Sequence, residues 1–154
     1  NGYALSYLKI SKKEARDVKL STTIESKVGL QLEPYTFTVE QGKVNELALA
    51  IGDLKEEYLN GERVPPTFPT VIDFWGGGSS SSDVLNLNMK KVLHGEQEYE
   101  YLGEIKQGDE ISVSGEIEKA YTKAKMNFFV VRKDFVNQRG ETVLISRSTV
   151  IERH

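Results

Sequence analysis

Cysteine is absent from the 154 residues. That excludes disulfides, thiolate metal sites and cysteine nucleophiles, and it fits a reducing, cytoplasmic setting. Histidine is scarce: His94 is the only one away from the chain end, since His154 is terminal. No apolar run approaches the roughly 18 residues of a membrane span, so no membrane partner is expected. The opening, NGYALSYLKI, is too polar to predict a signal peptide. Positive charge is not in excess either. A net charge of −3 gives no sign of a nucleic-acid surface. No His/Asp/Glu cluster has metal-ligand spacing, so neither a metal nor another cofactor is expected. Internal repeats are missing as well, and 154 residues favour one domain with a real core.

What the chain does have is one intensely apolar stretch, Val64 to Gly78. It predicts a short helix with Thr67 as N-cap and Pro69 in the first turn, where a missing N–H does no harm. Phe68, Val71, Ile72, Phe74 and Trp75 leave Asp73 as the only charge. A helix apolar nearly all round is a buried one. Gly76, Gly77 and Gly78 end it cheaply. The run Gly76 to Ser82, GGGSSSS, has a linker's composition and predicts a mobile surface loop. It lacks the GxxxxGK[ST] pattern of a phosphate-cradling loop.

Around this stretch the pattern is mixed. Residues 1–26 are polar, with a charged patch from Lys12 to Lys19, and form an N-terminal extension to a domain over 27–154. Leu32 to Glu40 alternates as a strand, with Tyr35, Phe37 and Val39 on one face. Val44, Leu47, Ala48 and Ile51 make a core-facing helical stripe that Gly52 stops. Leu54 to Arg63 is charged and loop-like. From Lys91 onward the chain reads as strands. Gln97, Tyr99 and Tyr101 alternate with Glu96, Glu98 and Glu100, which make a solvated face. Gly115 stands in the inward register of the next strand and predicts a bulge or a close backbone approach. Phe128 to Val131 is apolar throughout, as in a strand covered on both faces. Asn137 to Gly140 is a hairpin turn. The order argues for an α+β domain with helices on one side of an antiparallel sheet.

ALAIGD (Ala48 to Asp53), VPPTFPTVIDFWG (Val64 to Gly76), LHGEQEYEY (Leu93 to Tyr101) and QGDEI (Gln107 to Ile111) occur in that order. Together they resemble the MaoC-like hydratase/dehydratase group of hot-dog folds, and within it the N-terminal-domain branch, the FAS1-like dehydratases. The resemblance runs from Lys27 to about Arg153. It implies a five- or six-stranded antiparallel sheet wrapped around a central helix, paired with a second such unit as a homodimer or heterodimer. It also implies an acyl thioester of coenzyme A or acyl carrier protein as substrate. The reaction would be reversible addition of water to a 2-enoyl group, giving a (3R)-hydroxyacyl product.

That chemistry needs a carboxylate and an imidazole in one cleft, and hydrogen-bond donors for the thioester oxyanion. Active members carry D-x-N-P-x-H after a helix end. Here the segment reads Asp53-Leu54-Lys55-Glu56-Glu57-Tyr58. The aspartate matches, Asn-Pro is absent, and Tyr58 stands in the histidine's place. A phenol near pKa 10 is a poor base at neutral pH. The candidate catalytic residues are therefore Asp53, Tyr58 and His94. For His94 two readings stand: it replaces the imidazole, or it caps a strand edge. Pro66, Thr67, Phe68, Phe74, Trp75 and Gly76 are the candidate substrate-binding residues. Arg132, Lys133, Arg139 and Arg147 read either as surface cations or as contacts for coenzyme A phosphates. The resulting expectation is a dehydratase/hydratase-like protein that forms the substrate-binding half and needs a catalytic partner. A non-catalytic acyl-thioester-binding module and a hot-dog thioesterase are the alternatives.

Overall fold

The computed structural model describes residues 23–78 and 80–154. Most of the predicted N-terminal extension, its lysine-rich patch included, lies outside the described residues. A 3₁₀ turn at Ile24–Lys27 leads into β1 (Gln31–Thr38). Four helices follow: α1 (Gln41–Ile51), α2 (Glu56–Leu59), α3 (Pro69–Trp75) and α4 (Ser81–Leu85). Then come β2 (Val92–Tyr101), β3 (Glu110–Lys123), β4 (Met126–Val136) and β5 (Thr142–Arg153). The sheet is five-stranded and antiparallel, in the order β1-β3-β4-β5-β2. Its edges are β1 and β2.

Period-two patterning builds the sheet's inner face. Ile111, Val113 and Ile117 of β3 are buried while Ser112 and Ser114 are exposed. In β1 the alternation shifts between Leu32 and Tyr35, so both point inward across a bulge that holds Glu33 and Pro34. Proline is tolerated there because β1 is an edge. Gly115 faces that bulge, paired with Leu32. In β4, Phe129 and Val131 are buried. Phe128 and Val130 lie on the outer face and are only half-covered, with Phe128 stacked on Tyr121 at 5.1 Å. The strand expected to be covered on both faces is covered on one within a single chain.

Two apolar clusters fill the concave side. The first gathers Phe37, Val44, Tyr58, Phe68, Ile72, Phe135 and Leu144; the second gathers Leu32, Leu85, Ile117, Phe129 and Val131. Between them the inner face carries a row in register: Gly115 on β3, Lys133 on β4, Ser146 on β5 and Tyr99 on β2.

α1 buries Val44 and Ala48, half-buries Leu47 and leaves Ile51 exposed. It closes with Gly52 in the left-handed region (φ 72°). The Asp53 N–H bonds Ala48 O at 3.0 Å and the Gly52 N–H bonds Leu49 O at 3.2 Å, which is a Schellman stop. Nothing lies within 4 Å of a Cβ added at Gly52, so a substitution there meets only backbone strain. Gly52→Ala is expected to lower stability by about 1–2 kcal/mol in a denaturant melt.

Three segments depart from the sequence expectations. α3 starts after Phe68, not Thr67, and has no side-chain cap; Pro69 opens it. Its seven residues bury only Pro69 and Ile72. Phe74 is 80% and Trp75 63% exposed. At 100° per residue Phe74 falls opposite Ile72, on the side the sheet does not cover; Trp75, three residues on from Ile72, lies only about 60° from it and is exposed as the last residue of the helix. The glycine-serine run is not a loop throughout, because its last serines start α4. The Ser80 hydroxyl accepts the Asp83 N–H, and the Asp83 carboxylate accepts the Ser80 N–H, a complete capping box. Leu85 then plugs the second cluster. The charged Leu54–Arg63 segment likewise holds one helical turn, α2.

Candidate functional site

The Schellman stop aims Asp53 away from α1, and α2 begins three residues later. Lys55 sits between Asp53 and Tyr58. Its Nζ is 3.1 Å from Asp53 Oδ2 and 3.4 Å from the Tyr58 hydroxyl. The ammonium also lies over the Tyr58 ring, 5.3 Å from the centroid. Hydrogen bonds to Asp53 and then to Tyr58 hold the Lys55 pKa above its ordinary value. The lysine, its side chain 57% exposed, thus bridges the two as a cation. Tyr58 is 3% exposed and belongs to the first core cluster. Its carbonyl accepts the Gln41 side-chain amide at 2.8 Å, which pins α2 to α1.

α2 leads to a cavity of about 290 Å³ lined by Arg63, Val64, Pro66, Tyr101, Glu104 and Ile105. The Arg63 N–H bonds the Glu57 carbonyl of α2 at 3.0 Å, and its guanidinium meets Glu104 at 3.2 Å. Tyr101 donates its hydroxyl to Pro66 O at 2.7 Å. Tyr99 shares a 2.7 Å hydrogen bond with Thr70. These two tyrosines tie β2 to the start of α3. Burial, then the neighbouring phenols of Tyr99 and Tyr58, push the Tyr101 pKa up.

A profile of the "FAS1-like, dehydratase domain region" matches residues 26–146. The chain belongs to that family. Among relatives of this FAS1-like dehydratase-domain protein is a UPF0336 protein of Streptomyces griseus. It is 28% identical over 128 residues, which cover 76% of this chain and 85% of the relative. A solved MaoC-like dehydratase superposes with a TM-score of 0.70 at 23% identity, covering 85% of this chain. The match spans 43% of that longer chain. The HadBC (3R-hydroxyacyl-ACP dehydratase) complex of Mycobacterium tuberculosis gives a TM-score of 0.61 at 18% identity, over 81% of this chain and 98% of that one. The α+β hot-dog fold follows: a five-stranded antiparallel sheet with the helices on one face.

The FAS1-like domain brings Asp53 and Tyr58 together through Lys55 and leaves His94 elsewhere. His94 is exposed on β2, and its Nε2 is 2.9 Å from Glu96 O. There β2 bulges, and Gly95 lies against Ile151, a Cβ at Gly95 falling 2.7 Å from Ile151 Cδ1. His94 and Tyr101 are seven positions apart on β2, about 23 Å at the rise of a strand. Within one chain the imidazole therefore does not share the cleft. Of the candidate substrate contacts, Pro66 lines the cavity. Thr67 is exposed beside it. Phe68 is fully buried against Phe37, edge to face at 6.4 Å, so it is core and not lining. Phe74 and Trp75 pack edge to face on the surface, and Lys43 covers the Trp75 ring at 4.9 Å. Trp75 and Gly76 border a shallow surface concavity beside Thr36 and Lys43. Among the described residues no His/Cys/Asp/Glu group could hold a metal ion, and no helix is long and apolar enough to cross a membrane.

Sequence reasoning missed Lys55 and Tyr101. The Lys55–Tyr58 spacing, one helical turn, was the available signal for the first. Nothing in sequence joins Tyr101 to Pro66. The inward tyrosines also set an alkaline limit. The pKa values of Tyr35, Tyr99 and Tyr101 are all raised, burial being the largest cause. An acid whose folded pKa lies above its unfolded value of about 10 contributes stability that is complete below that pH and is lost as pH climbs past it. Unfolding free energy is expected to fall above about pH 10. In an ultraviolet titration these three phenols should ionise only as the sheet opens.

Proposed function

We propose that this protein is the acyl-thioester-binding half of a two-part dehydratase. Its partner is a second hot-dog unit that carries the imidazole. Together they interconvert 2-enoyl and (3R)-hydroxyacyl thioesters. The observation that carries this reading is the state of the dyad. Asp53 is paired with the exposed cation Lys55, and the place of the second catalytic group is filled by Tyr58, a buried phenol. General acid–base work on a 2-enoyl group needs a second group beside the carboxylate, and an imidazole does not stand there. The pieces of a binding cleft remain: a cavity beside Pro66 and Tyr101, and the Arg63 guanidinium at its rim. In this reading the acyl group lies along α3, and Lys55 and Arg63 face the polar carrier.

The test is reconstitution. The isolated chain is mixed with a hot-dog protein bearing an intact D-x-N-P-x-H, and 2-enoyl-CoA is followed. Turnover by the mixture, with little from either component alone, supports the assignment. In that mixture Asp53→Asn is expected to change stability and not turnover if Asp53 is purely structural.

Assembly supports the same reading. Among the described residues β2 is an edge strand of ten residues with one side unpaired. Leu93, Tyr101, Leu102, Phe74 and Trp75 are exposed on or near it and α3. A second hot-dog sheet would continue this one across β2 and cover Leu93, Tyr101 and Leu102; Phe74 and Trp75 lie beside β1, at the other edge. Sedimentation is expected to give a dimer or a stable heteromeric complex; a stable monomer at micromolar concentration in the presence of the partner would argue against it.

A further inference from the structure

Lys133 is out of character with its place in the sheet. It stands between Gly115 and Ser146 on the inner face, in line with Val131 and Phe135, which are buried. An ammonium there needs a partner. It reaches Asp73 on α3, Nζ to Oδ1 2.8 Å, with the two side chains 19% and 24% exposed. Tyr35 donates its hydroxyl to the same oxygen at 3.0 Å. The lysine that the sequence left open as a surface cation or a phosphate contact is thus an inward one.

Three glycines make this arrangement possible. A Cβ at Gly115 would fall 2.9 Å from Lys133 Cγ, and one at Gly76 would collide with the Tyr35 ring. At Gly78 it would fall 2.9 Å from the Glu33 carbonyl oxygen and 3.2 Å from Tyr35. Any side chain at these positions would displace the tyrosine ring or the lysine stem.

Tyr35, Asp73 and Lys133 open on a cavity of about 260 Å³, lined by hydrocarbon from Leu32, Phe74 and Val113 and by the polar residues Glu33, Ser80, Ser81 and Ser114. The ion pair has bonding capacity to spare. An ammonium has three donors, and among the described residues only Asp73 Oδ1 accepts one. Asp73 Oδ2 accepts none among them. The cavity therefore presents a cationic donor beside an anionic acceptor. A hydroxyl group satisfies both, accepting from Lys133 and donating to Asp73. A carboxylate would be repelled by Asp73, and a methylene would cover the pair without bonding either member. The volume lies below the roughly 300–1,000 Å³ of a whole small-molecule pocket, so it suits one segment of a ligand.

We propose that this cavity is a hydroxyl-recognising subsite, taking an alcohol oxygen on a hydrocarbon chain between Lys133 and Asp73. That the hydrocarbon is the acyl group of a thioester rests on the function proposed above. Recognition of the alcohol does not.

The test uses the whole chain and three probes that each carry a straight six-carbon chain: hexan-1-ol, its methyl ether 1-methoxyhexane, which can accept a hydrogen bond but not donate one, and hexanoate. Titration is followed by NMR. Hexan-1-ol is expected to shift Tyr35, Asp73 and Lys133 signals and to bind about tenfold more tightly than the ether or the carboxylate. The double variant Lys133→Met with Asp73→Leu removes the pair without stranding a charge, and should bind alcohol and ether alike. Asp73→Asn removes the anionic acceptor more gently and should bring hexan-1-ol down toward the ether. Equal binding of alcohol and ether by the native chain would overturn the proposal. So would shifts confined to another site, or a preference that survives in a folded variant. Failure of the thioester reading would show separately, as absent 2-enoyl-CoA binding with the alcohol preference intact.

Discussion

The isolated protein will hydrate crotonyl-CoA, or a longer 2-enoyl-CoA, about 10²–10⁴-fold more slowly than the reconstituted pair, the usual contribution of one matched acid–base group. Water cannot add across the double bond unless one group takes its proton and another delivers one to the neighbouring carbon. Asp53 is the only carboxylate in the expected position, and Lys55 binds it at 3.1 Å. Tyr58 cannot substitute for an imidazole, since a phenol is a poor base at neutral pH and this one is packed in the first core cluster. Lys55→Met would release Asp53 but supply no second group, so it should leave the isolated chain slow. His94→Ala should also leave it slow, because His94 bonds a carbonyl on β2 well away from Tyr101. Loss of enoyl-thioester absorbance measures all of these. A fast wild type abolished by His94→Ala would return the catalytic role to that histidine.

Phe68→Ala is expected to lower stability by about 3–5 kcal/mol, enough to unfold a marginal domain. Phe68 is fully buried, meets Phe37 edge to face, and sits where α3 joins the first cluster. A truncation there loses apolar burial and leaves a cavity that the short α3 cannot close. Phe74→Ala, six residues on, should change the isolated chain by no more than about 0.5 kcal/mol, as a surface substitution does. Urea melts of the two variants compare the faces directly. Equal losses would mean that the exposed face of α3 is packed in solution. In that case dilution of the chain should separate a self-associated state from a monomeric one.

Much of this fold was legible because its strands obey a period of two and its first long helix a period near four. The strand through Tyr35 and Phe37, the stop at Gly52 and the close approach at Gly115 all follow from local rules. α3 was legible as a helix but not as a half-exposed one. Composition tells how apolar a segment is, not how much sheet exists to cover it. The Ser80 capping box was hidden inside a run whose composition suggests a linker, because a cap depends on one hydroxyl and one carboxylate at the right spacing. The site divided in the same way. Asp53 and Tyr58 stand out against the family pattern, and the break in that pattern was visible at once. Lys55 was not, since its role depends on reaching two partners at once. Lys133 was least legible of all. Only the β3–β4 register turns it inward, over a glycine, to a carboxylate sixty positions away.

The most direct measurement is calorimetric titration of dec-2-enoyl-CoA into the isolated chain, with the contents of the cell analysed afterwards. Saturable binding with the 2-enoyl thioester recovered unchanged is the predicted result. Conversion to the 3-hydroxyacyl thioester by the isolated chain, persisting in Asp53→Asn and His94→Ala, would contradict the account, and so would the absence of any binding.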